Sequence, residues 1–186
     1  SQSRGLGDVY KRQIPGHHHQ IAHSLENEDL TYYRKFVYRT SAFSEGWALY
    51  AEQLALEAGL ADNPLDELGI LQSELFRAVR LVVDTGMHYK RWTREEAMAY
   101  MKAKTGMSDT EVRVEIERYI VWPAQALSYK VGMIKILELR KKAQDALGEK
   151  FNIKDFHSAL LDHGSPPLFI VEEKVNDMIN NAKSLN

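Results

Sequence analysis

From Pro15 onward, apolar positions recur every three to four residues between short breaks, the periodicity of helices that pack by one face. The spacing predicts a helix carrying His17 to about Leu25, ended by the polar run Glu26–Asp29. A second helical stretch is expected over Leu30–Arg39, and a third from about Ala42 to Ala58, with Gly59 as its stop. Asn63-Pro64 joins a capping side chain to proline at the first helical position. The helix it starts carries Leu68, Leu71, Leu75, Val79 and Val82 on one face and should run to about His88. Thr93–Glu96 and Ser108–Glu111 match the capping box, in which hydroxyl and glutamate satisfy free backbone amides reciprocally. Pro123 separates the second of these helices from a long one, Ala124 to Leu147, which Gly148 stops. A short helix around Asp155–Leu161, the turn Gly164-Ser165-Pro166-Pro167 and a final helix from about Leu168 follow. There is no strand or hairpin signal, internal repeat or low-complexity linker, so the fold class is all-α.

The segment before Ile14 does not share this pattern. Ser1–Gln13 has neither apolar periodicity nor a clear cap, and Ser3–Gln13 resembles the in-frame translation of a transposase sequencing adapter common in metagenomic libraries. Residues 1–13 are therefore expected to be non-native, and 14–186 to be the C-terminal fragment of one helical domain that continued upstream. Such a fragment should expose apolar surface where its N-terminal half packed.

Composition narrows the function classes. The chain has 186 residues, 44% hydrophobic and 27% charged, as in an ordinary globular protein. A net charge of -2 gives no electrostatic reason to invoke nucleic acid or an anionic membrane surface. With no cysteine there is no disulfide, no Cys-type zinc knuckle and no thiol nucleophile, and the compartment stays open. No stretch approaches the roughly 18 apolar residues of a membrane span.

Two features carry candidate chemistry. The first is Pro15-Gly16-His17-His18-His19-Gln20, with His23 one turn beyond His19. The second is Ser44-Glu45-Gly46-Trp47-Ala48-Leu49-Tyr50-Ala51-Glu52, a carboxylate near the start of an apolar helix. Neutral imidazole is a good zinc ligand, and a carboxylate from a neighbouring helix can complete a three-ligand site with one position open to water. By themselves the histidines fit a solvated polar face as well as a metal site.

The wording of these motifs resembles a bacterial family, the domain of unknown function 885. The resemblance runs from Ile14 to about Leu185 and includes Arg77–Gly86 with His88, Trp122–Gly132, Phe156-His157 and the Gly164 to Leu168 turn. The family is similar to zinc peptidases of the thermolysin and angiotensin-converting-enzyme clan. It therefore implies the C-terminal part of a larger helical metallopeptidase-like domain, with zinc as cofactor and a peptide as substrate. Its pattern H-E-x-x-P-G-H-H would put the H-E pair at positions 11 and 12, where this chain has Lys11 and Arg12; His19 stands where the family has leucine. In H-E-x-x-H the histidines sit one turn apart and the glutamate activates zinc-bound water. Two inserted residues would carry the second histidine away along a straight helix, and Pro-Gly supplies the break that returns it.

The resemblance implies roles for particular residues. His17, ahead of His18, is the candidate ligand and Glu45 the third ligand; one ligand and the general base are then missing. Leu49 stands where the clan often has a carboxylate that orients a histidine, which leaves Glu52 as the candidate for that task. Tyr129 is the candidate to stabilise the oxyanion, although a helix tyrosine also fits a core position. Arg80, Asp84 and His88 form one polar stripe opposite the Leu75–Val82 face. That stripe is either the solvated side of the helix or a substrate-binding set in which Asp84 orients His88. His157 and His163 read as structural or surface residues, and His23 as exposed without a partner. The preferred function is zinc-dependent peptide hydrolysis by metal-activated water, lost from the chain as written. The alternatives are a non-catalytic helical module and a metal-dependent hydrolase of another substrate. Bacterial cytoplasm and a secreted or periplasmic location stay equally open.

Overall fold

The computed structural model describes residues 9–61 and 63–184, and every regular element among these residues is helical. Residues 9–12 are helical, and α1 follows over His17–Glu26. Next come α2, Ser41–Glu57; α3, Pro64–His88; α4, Arg94–Thr105; and α5, Asp109–Val121. The chain ends with α6, Ser128–Leu147; α7, Ile153–Leu161; and α8, Leu168–Ser184.

The local signals behave as their chemistry requires. Asn63 accepts from the amides of Leu65 and Asp66 at 2.9 and 3.2 Å, with Pro64 opening α3. Both capping boxes close reciprocally, Thr93 with Glu96 and Ser108 with Glu111. Gly59 follows α2 at φ +69.

Central to the fold is α2, buried around most of its circumference through Phe43, Trp47, Tyr50 and its alanines. Its most extensive partner is α6, and the two cross where Gly46 meets Gly132. With α7 and α8 these helices enclose one core, which includes Ile136, Phe156 and Val175. A second core, around Val83, Met101, Ile116 and Tyr119, joins α3, α4 and α5.

Three expectations need correction. The stretch Leu30–Arg39 makes only a single wide turn, Tyr33–Val37, with extended backbone at Tyr38. Its aromatic and β-branched residues are poor helix formers, and Tyr32, Tyr33, Phe36 and Val37 lie exposed with no face to bury. The long helix starts at Ser128 rather than Ala124, because Ala124 adopts φ +67 after Pro123 and a short turn, Gln125–Leu127, intervenes.

The third correction concerns α3. Of its predicted apolar face only Val79 is buried, while Leu68, Leu71, Leu75 and Val82 are 38–49% exposed. The polar residues Arg80 and Asp84 face inward, at 5% and 2% exposure. Periodicity finds the stripes of a helix but not which stripe meets the rest of the chain. Polar side chains can face inward here because each has a partner waiting.

Candidate functional site

The turn after residues 9–12 is built around Gly16. A Cβ there would collide with the carbonyl oxygens of Tyr10 and Lys11, so the restarted helix lies directly on the preceding turn. Trp47 anchors this turn to α2, its Nε1 donating to the carbonyls of Pro15 at 3.0 Å and Gly16 at 3.3 Å. The break expected from Pro-Gly thus brings the side chains at 11 and 17 to the same place, the head of α2.

That place is Glu45. Its Oε2 lies 3.4 Å from Lys11 Nζ and 3.3 Å from His17 Nε2. Burial pushes the Glu45 carboxyl up, but the facing His17 imidazole and the Lys11 ammonium outweigh it and hold the group at about 2. His18 is exposed, so of the two candidate histidines it is His17 that meets the carboxylate.

Among the described residues no group of three His, Cys, Asp or Glu side chains is placed to hold a metal. A catalytic zinc takes three protein ligands, and here two ligand-type groups share their site with an ammonium. The residues present do not fit the metal.

Tyr129 is buried on α6 beside this cluster, with Lys11 Nζ 4.5 Å and the Arg80 guanidinium 4.9 Å from its ring centroid. Its hydroxyl accepts from Gln125 Nε2 at 3.3 Å and interacts with Arg118. Gly132, one turn after Tyr129, and Gly46, next to Glu45, form the α2–α6 crossing, so one backbone contact positions both candidate side chains.

Two members of the Arg80–Asp84–His88 stripe, Arg80 and Asp84, are buried, and His88 at its end lies exposed. Arg80 stacks on Phe76 at 4.2 Å and pairs with Glu115 at 3.0 Å. Asp84 accepts the Ala124 N–H at 3.1 Å, which supports the unusual backbone there, and burial raises its carboxyl despite His88 nearby. His88 Nε2 donates to the Tyr119 carbonyl, 2.9 Å away. Asp84 and His88 therefore tie α3 to the backbone of neighbouring segments, and Arg80 is the member that borders Tyr129. Glu52 is buried and accepts from Ser73 at 2.8 Å, which joins α2 to α3.

The remaining histidines divide clearly. His157 is structural: its Nε2 lies 3.0 Å from the Tyr50 hydroxyl, its ring meets Trp47 edge-on, and burial with the Arg140 charge lowers it to about 4. His163 is lowered by burial. His23 has a partner after all, since its Nε2 lies 2.7 Å from Asp162 Oδ1. Asp162 follows α7, and nothing in the sequence signalled the pairing.

A cleft of about 320 Å³ opens beside Glu45 and His17, between α1, the Tyr33–Val37 turn and the first turn of α2. Lys11 and this cleft are what sequence reasoning missed. The signal for Lys11 was the family spacing, which put a ligand at position 11.

A family model described as "Bacterial protein of unknown function (DUF885)" matches residues 9–175. The chain belongs to this family. The DUF885 match begins inside the segment expected to be adapter-derived. A crystal structure described as a "putative lipoprotein" from Colwellia psychrerythraea is 49% identical and superimposes with a TM-score of 0.91 over 94% of the chain. A second structure, described as a "putative lipoprotein of unknown function" from Shewanella oneidensis, is 27% identical with a TM-score of 0.83 over 90% of the chain. The chain spans 30% of the length of each of these two proteins. No curated protein matches it. No helix among the described residues is long and apolar enough to cross a membrane.

Proposed function

We propose that this DUF885 fold is the scaffold of a metal-dependent hydrolase, with ligands at positions 11, 17 and 45, and that Lys11 turns this chain into a non-catalytic helical module. The observation that supports the reading is that Lys11 Nζ and His17 Nε2 meet one carboxylate oxygen, Glu45 Oε2, at 3.4 and 3.3 Å. Two ligand atoms held about 2.0–2.1 Å from a tetrahedral zinc lie about 3.3 Å apart. Both contacts to the Glu45 oxygen match that separation, which supports a ligand site in which an ammonium has taken the place of an imidazole. In this chain the ammonium balances the Glu45 charge that a cation would otherwise balance.

For members with a complete ligand set, the proposed reaction is hydrolysis of a peptide bond, with Tyr129 at the border of the site. Arg12 brings positive charge to the position of the proton-accepting carboxylate, and a general base alone contributes roughly 10²–10⁴ in rate. The chain as it stands is expected to cleave no peptide. Calorimetric titration with zinc tests the ligand positions: Lys11→His should bind the metal more tightly than the parent chain. Equal affinity of the two would overturn the assignment of position 11.

A further inference from the structure

The cleft beside Glu45 has a ligand chemistry of its own. Thr40, at the head of α2, is the residue type that caps a helix, yet its Oγ1 donates to the carbonyls of Pro166 at 2.6 Å and Ser165 at 3.0 Å. Helix α2 consequently begins without a side-chain cap, and its first turn, through Thr40, Ser41 and Ser44, lines the cleft. Uncapped amides at a helix start favour an anion, and Arg34 and Arg39, which also line the cleft, add positive charge. Glu45, next to Ser44 on the same helix, also lines the cleft, its charge balanced by Lys11 with His17 beside it.

A second and independent observation comes from α1. Gln20 is 3% exposed, lines the cleft, and its Oε1 has no hydrogen-bond partner. A buried acceptor left unmatched is destabilising, so the ligand that suits this cleft brings a donor as well as an anion. A simple carboxylate such as acetate supplies only the anion, and inorganic phosphate carries its O–H on the same centre as its charge, with no reach between the two. The C-terminal residue of a peptide supplies both, a carboxylate and an N–H a few ångströms away. A volume of about 320 Å³ accommodates one or two residues.

We propose that this cleft binds the C-terminal residue of a peptide, its carboxylate at the head of α2 with Arg34 and Arg39, and its N–H on Gln20. This rests on and deepens the hydrolase reading, because it places the free end of a substrate beside Glu45 and His17. The consequence is recognition of chain ends rather than of internal peptide segments.

The test is a binding titration of the whole chain, with a chelator present so that no metal contributes. The probes are acetyl-Ala-Ala with a free carboxylate, its C-terminal amide, and inorganic phosphate, followed by amide chemical shifts. The free acid should bind, with the amide about tenfold weaker or worse, as expected for the loss of a charged hydrogen bond. Arg39→Gln, an exposed position that leaves the fold intact by circular dichroism, should weaken the acid by a similar factor. Gln20→Leu should weaken acid and amide alike. Equal binding of acid and amide, phosphate as tight as the acid peptide, or no binding of the acid would each overturn the proposal. Failure here leaves the zinc titration of Lys11→His unaffected, and failure there leaves the cleft unaffected, so the two readings are separable.

Discussion

Gly132 of α6 lies so close to Gly46 of α2 that a Cβ on Gly132 would come 2.7 Å from the Gly46 Cα and collide with the Ala42 carbonyl. The crossing fixes the rotation of both helices, and with it Glu45 and Tyr129. Gly132→Ala should cost about 1–3 kcal/mol, the usual range for overpacking. For a chain of this size that lowers Tm by several degrees. Thermal unfolding followed by circular dichroism reads the change, and an unchanged Tm would mean that the helices have room to part.

His157 sets a pH dependence away from the candidate site. Its folded value is lowered to about 4 from the ordinary 6.5, by burial first and by the Arg140 charge second. A depressed histidine contributes stability that is present above pH 6.5 and lost as pH falls through 4, because the unfolded chain takes the proton first. The parent chain should therefore lose stability across that window more steeply than His157→Gln. Urea midpoints at pH 7, 5.5 and 4.5 test this; parallel slopes in the two chains would contradict it.

The outward stripe of α3 should behave as surface. Leu68→Lys with Leu75→Lys should change stability by no more than about 0.5 kcal/mol per site. Ile116→Ala, in the core, should cost about 2–5 kcal/mol. The double lysine variant should also bind less of a hydrophobic dye and sediment as a cleaner monomer. A large loss of stability would show that the stripe is packed rather than exposed.

How much of this was legible in sequence follows from what each signal encodes. Helix ends were readable where a side chain makes the cap, as at Asn63, Thr93 and Ser108. They differ from the pattern at Leu30–Arg39, whose aromatic side chains lie exposed, and at Ala124, whose N–H is held by Asp84 forty residues away. The meeting of His17 with Glu45 was legible because two motifs pointed to it. The inward turn of Arg80 and Asp84 was not, since only tertiary contact decides which face of an amphipathic helix is covered. The His23–Asp162 pair and the Gln20 cleft likewise join segments with no shared sequence pattern.

The measurement that bears most directly on the central claim is zinc X-ray absorption on Lys11→His. The claim predicts one zinc bound by the side chains at 11, 17 and 45, at about 2.0–2.1 Å, and abolished by either His17→Ala or Glu45→Gln. It also predicts that His18→Ala and His19→Ala leave that zinc in place. Zinc that survives loss of His17 or Glu45 but disappears with His18 or His19 would contradict it, and would assign the metal to the exposed histidines of α1 instead.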